Sequence, residues 1–161
     1  MAFLSFVGRT LFVAIFLVAA VQKASEYGAD GGKAAELMRP KLDAFYAHVQ
    51  SNLHVALPVI EAKYLLAIAI GLEFFGGLLF WFGSSLGAWL LLLFLVSVTP
   101  IMHDFYNQDV GSTEQTIELI QFMKNLSLTG ALLFFLGLKS SVGRASRRNR
   151  SKVVANKPKV S

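Results

Sequence analysis

Four apolar runs, at residues 3–22, 63–82, 84–103 and 117–138, limit this chain to a few folds. An α-helix rises 1.5 Å per residue, so about 20 residues span a hydrocarbon core of roughly 30 Å. Backbone polar groups cannot be left unpaired in lipid, so each run reads as a membrane-spanning helix. With 55% hydrophobic and 16% charged residues, the chain falls well short of the charge content of soluble domains. The expected fold is an all-α membrane protein: a four-helix transmembrane bundle with an amphipathic helix in the first extramembrane loop. Residues 1–138 form its membrane domain, and 139–161 a basic, disordered tail.

Segment one could be read as a cleaved signal peptide, with Arg9 ahead of an apolar run and the small residues Ala19 and Ala20 near its end. Phe3, Leu4, Phe6 and Val7 extend the run N-terminal of Arg9, which suits a span better. Residues 23–62 form the first loop. Asp30-Gly31-Gly32 marks a turn, and Pro40 opens a helix over 40–54 that gathers Leu42, Phe45, Tyr46, Val49 and Leu53 on one face. That helix should lie on the membrane face or cap the bundle. Gly83-Ser84-Ser85 leaves room only for a tight hairpin between spans two and three, and Gly71, Gly76, Gly77, Gly83 and Gly87 permit close helix packing.

Charge is divided sharply. After Leu138 the chain carries eight basic residues and no acid, whereas residues 1–138 carry seven basic and ten acidic ones. Cytoplasmic flanks hold the lysine and arginine excess, so the C-terminus, and with four spans the N-terminus, is expected in the cytoplasm. The 104–116 loop fits the far side, since it has no Lys or Arg; the 23–62 loop has four, offset by its acids. A basic tail of this kind is suited to anionic lipid.

Ionisable residues inside spans are costly and normally face a bundle interior. Arg9, Glu73, His103, Asp104, Lys124 and Asn125 therefore form the candidate intramembrane polar cluster, with Glu118 at the interface. From depth alone, Arg9 should approach Glu73, and Lys124 should approach Asp104 or His103. The functional reading is a polar pocket for a quinone-like or lipid head group, or a proton path; the structural reading is ion pairs that fix helix register. No catalytic motif and no metal-ligand spacing is found, and the absence of cysteine excludes thiolate chemistry.

Gly8-Arg9, Lys23, Glu73 with Gly76-Gly77, Thr99-Pro100 leading to His103-Asp104-Phe105, and Lys124-Asn125-Leu126 resemble the DoxX-like superfamily. Asp30-Gly31-Gly32, Arg39-Pro40-Lys41, Phe82-Gly83-Ser84-Ser85-Leu86-Gly87-Ala88 and His103-Asp104-Phe105-Tyr106-Asn107 resemble, more closely, the plant HR-like lesion-inducing proteins. The similarity covers about residues 1–140. It implies a multi-pass protein linked to hypersensitive-response-type cell death or secretory-pathway function through partners, without a defined reaction. The alternative, taken from microbial DoxX-like relatives, is a redox-complex subunit that contacts a quinone. No cofactor is otherwise expected, and no nucleic acid. The expected partners are membrane lipid, other membrane proteins or further copies of the chain.

Lys157 and Lys159, fifth and third from the C-terminal Ser161, resemble a dilysine retrieval signal read by coat proteins on the cytoplasmic side. Endoplasmic reticulum or another endomembrane is the address implied. Protease added to intact microsomes should remove a C-terminal tag; a protected tag, or a glycan on Asn149 of the Asn149-Arg150-Ser151 sequon, would reverse the orientation.

Overall fold

A computed structural model describes residues 2–55 and 58–155. Five α-helices follow one another: α1 (Ala2–Ser25), α2 (Gly32–Leu53), α3 (Ala62–Trp81), α4 (Ser85–Met102) and α5 (Thr113–Ala155), with a 3₁₀ turn at Phe105–Asn107. The described residues contain no strand. Four helices (all but α2) are long and apolar enough to cross a membrane, so this is an integral membrane protein.

The α3–α4 hairpin is the centre. A Cβ on Gly87 would lie 2.2 Å from the Phe80 nitrogen and 2.7 Å from the Gly76 oxygen, so the two backbones meet where no side chain fits. Gly83 turns the chain with φ of 79°, and the Ser84 hydroxyl accepts from the Leu86 N–H to cap α4. α1 packs on α3, and α5 packs on α4. Val13, Phe16, Phe80, Leu91, Leu95 and Leu132 fill the core between them.

α2 lies across the open end of the hairpin, against the start of α3 and the end of α4. It begins eight residues earlier than expected, so Pro40 sits inside the helix rather than in its first turn. Pro40 forfeits one backbone hydrogen bond, yet its side chain is exposed, and the apolar stripe continues upstream of it. Ala35, Met38 and Leu42 are buried with Ala62 and Leu66, and this packing outweighs the proline cost of about 3 kcal/mol. Phe45, Tyr46 and Val49 extend the stripe half-buried; the Leu53 side chain lies outside the described set.

The tail also differs from expectation. α5 continues as helix through Ala155 instead of becoming disordered after Leu138. Its 43 residues give a rod of about 65 Å, twice a hydrocarbon core. No proline interrupts it before Pro158, and arginine, lysine and alanine are good helix formers. Lys157 and Lys159 lie outside the described residues.

Gly87→Val should therefore cost about 1–3 kcal/mol or more by overpacking the hairpin. Gly71→Ala, where an added Cβ meets nothing within 4 Å, should be neutral or slightly stabilising. Melting of both variants in mild detergent makes the comparison; equal behaviour would mean the Gly87 contact does not hold the hairpin.

Candidate functional site

Helix register decides which charges meet. The Trp81 indole N–H donates to the Thr10 hydroxyl at 2.9 Å, which places the start of α1 beside the end of α3. Arg9 lies at this level: its Nε donates to the Ser5 carbonyl at 3.2 Å, and its guanidinium fills the space beside Gly83. Glu73 is eight residues back along α3, about 12 Å away. The expected Arg9–Glu73 pair is therefore absent. Glu73, 3% exposed, pairs instead with Lys23 at 2.5 Å. The Lys23 ammonium also stands 5.4 Å from the centre of the Phe94 ring.

The sequence pattern leaves Lys23 outside the cluster, because the first apolar run ends at residue 22. The signal was available: Val13, Phe16 and Ala20, all buried, define a stripe at helical spacing whose next member is Lys23.

A second cluster joins α2 to the end of α4 and the start of α5. Lys41 donates to the Met102 carbonyl at 2.6 Å, pairs with Asp104 at 3.3 Å and forms a closer pair with Glu118. The other Glu118 oxygen meets His103 Nδ1 at 2.9 Å. Asp104 is 5% exposed, and its second oxygen accepts from Gln108 at 3.5 Å. Tyr106 donates to the Pro100 carbonyl at 2.6 Å, and its ring lies 4.8 Å from that of His48. Pro100 has no continuing helical partner for this carbonyl to serve, and the phenol takes that role.

Lys124 reaches neither Asp104 nor His103, contrary to expectation. Asn125 takes the bundle-facing place, donating to the Thr99 hydroxyl at 3.1 Å, in line with Leu128 and the fully buried Leu132. One residue along a helix is a rotation of about 100°, so Lys124 is turned out and exposed. Lys41, which replaces it as the partner of Asp104, comes from the loop helix; nothing in the span pattern marked it.

Among the described residues no buried side-chain nitrogen or oxygen lacks a hydrogen-bond partner, and no three His, Asp or Glu gather to hold a metal. A cavity of about 190 Å³ opens between α3 and α4, but its walls are apolar, with Met38, Leu65, Leu72, Leu93 and Ile101 among them. Ser97 is the one hydroxyl in the wall, and it donates to the Leu93 carbonyl at 2.7 Å. A quinone head needs donors for two carbonyl oxygens, which these walls do not offer; Glu73 and Lys124 are not part of them.

Removing Lys23 alone should destabilise the protein by about 3–5 kcal/mol, because Glu73 is left buried without a counter-charge. Adding Glu73→Leu to Lys23→Met should recover part of that loss, whereas Arg9→Leu combined with Glu73→Leu should simply add. Detergent melting of the two double-mutant cycles decides it: coupling between Arg9 and Glu73, or none between Lys23 and Glu73, would contradict this register.

No curated protein sequence and no solved structure matches the chain. The profile of the family described as HR-like lesion-inducing matches residues 1–138. That stretch holds the α3–α4 hairpin, α2 and both ion-pair clusters, so this chain belongs to the HR-like lesion-inducing family and is associated through it with the hypersensitive response.

Proposed function

We propose that this protein acts without catalysis, through partners in the membrane, in hypersensitive-response-type cell death or secretory-pathway function. The observation that carries the reading is the mutual satisfaction of its polar side chains. Lys23 with Glu73, and Lys41 with Asp104, Glu118 and His103, are committed to one another and to the fold. Groups spent on register and on docking α2 are suited to scaffolding rather than to turnover. The alternative, a redox-complex subunit contacting a quinone, draws less support from an apolar cavity whose single hydroxyl is already bonded within α4.

Charge placement supports cytoplasmic termini and an endomembrane address. Apart from Glu73, every acid stands at the end of the bundle that carries α2, in the loops and helix ends there. The opposite end presents Arg9, Lys139, Arg144, Arg147 and Arg148 without an acid. Lys139 there donates to the Gly83 carbonyl at 2.5 Å. A basic helix leaving the membrane on that side would carry Lys157 and Lys159 to a coat-protein reader and would attract anionic lipid.

Transient expression in leaf tissue, scored by ion leakage, tests the reading. The full chain should raise leakage above an equally abundant four-span control, and Lys157→Ser with Lys159→Ser should let it leave the endoplasmic reticulum. Leakage equal to the control would remove the cell-death role. Recovery of a stoichiometric quinone from the purified protein would favour the redox subunit instead.

A further inference from the structure

Lys124 stands inside the fourth span without an acidic counterpart among the described residues. Lys124 is exposed on α5 and forms no hydrogen bond or ion pair among the described residues. Its depth follows from two flanking markers on the same helix. Glu118 belongs to the Lys41 cluster at one end of the bundle, and Lys139 bonds the Gly83 carbonyl at the other. The 21 residue steps from 118 to 139 rise about 32 Å, the thickness of a hydrocarbon core. Lys124 is thus about 9 Å inside it. Snorkelling carries the ammonium toward the nearer face but brings it no acid of this chain. An unpaired lysine costs about 2.5–3.5 kcal/mol at the centre of the core and less toward its edge.

We infer that Lys124 is the docking point for a transmembrane helix of another protein that carries an aspartate or glutamate at matching depth. The surrounding surface is suited to a helix: Ser127 and Ala131, on the same exposed stripe as Lys124, are small enough for a close backbone approach. A second copy of this chain brings no suitable acid. Glu73 is committed to Lys23, Asp104 to Lys41, and Glu118 to Lys41 and His103. The inference deepens the partner-dependent reading above and rests on it for its biological setting. Its test needs no lesion, so the two fail separately.

The probe is a synthetic 20-residue polyleucine helix bearing one aspartate at the depth of Lys124, alongside an all-leucine version. Fluorescence energy transfer to the labelled full-length protein is read in phosphatidylcholine vesicles. The aspartate peptide should associate roughly three- to tenfold more tightly than the leucine peptide. Lys124→Leu should abolish the difference, and Lys124→Arg should keep it. Equal association of the two peptides, or a preference that survives Lys124→Leu, overturns the inference. Melting of the protein alone supplies a second check: Lys124→Leu should be no less stable than the parent, and a clear loss would show that Lys124 is engaged within the chain. Retention of phosphatidic acid in native mass spectrometry, lost on Lys124→Leu and without peptide selectivity, would assign the charge to a lipid instead and overturn the proposal.

Discussion

The closeness of α3 to α4 governs the rest of this membrane domain. Gly87 lies against the Phe80 nitrogen and the Gly76 oxygen, a separation that any side chain would enlarge. In lipid, water gives helices no hydrophobic reason to associate, so van der Waals contact at such points carries the association. Once the hairpin is set, its two faces and its open end define where α1, α5 and α2 pack. Gly77 then receives Leu17 of α1, and the Phe80 ring meets that of Phe135 of α5 at a tilt, 4.7 Å between centres.

The ion pairs follow from that geometry. Antiparallel α1 and α3, registered by the Thr10–Trp81 hydrogen bond, bring Lys23 to Glu73. Buried pairs of this kind add little net stability but make every other register costly, since each alternative strands a charge. Lys41 serves the same purpose at the open end. It ties α2, which has no span of its own, to the Met102 carbonyl of α4 and to Glu118 of α5. The family match covers all of these groups.

Most of the architecture is legible in the amino-acid sequence. Each apolar run lies inside one of the four long helices or within one residue of it, although α5 continues well past residue 138, because hydropathy over about 20 residues and the need to satisfy backbone groups leave few alternatives. The amphipathic loop helix could be read from the spacing of Leu42, Phe45, Tyr46 and Val49. Its early start could not, since Pro40 argues locally against it and only the burial of Ala35 and Met38 argues for it. The helical course of the tail through Ala155 was likewise hidden by its charge, which composition reads as disorder.

Sequence by itself determined the class of fold, the number of spans, the hairpin at Gly83 and the separation of a basic end from an acidic one. Each of these depends on composition over a window or on one residue's own stereochemistry. Tertiary structure decided the partners: Lys23 rather than Arg9 for Glu73, Lys41 rather than Lys124 for Asp104, and Asn125 rather than Lys124 toward the bundle. Pairing depends on axial register to within a turn and on rotation to within about 100° per residue. A span boundary uncertain by three residues shifts the first by about 4.5 Å and the second by most of a turn. Depth counted along a sequence resolves neither, and only the packed helices do.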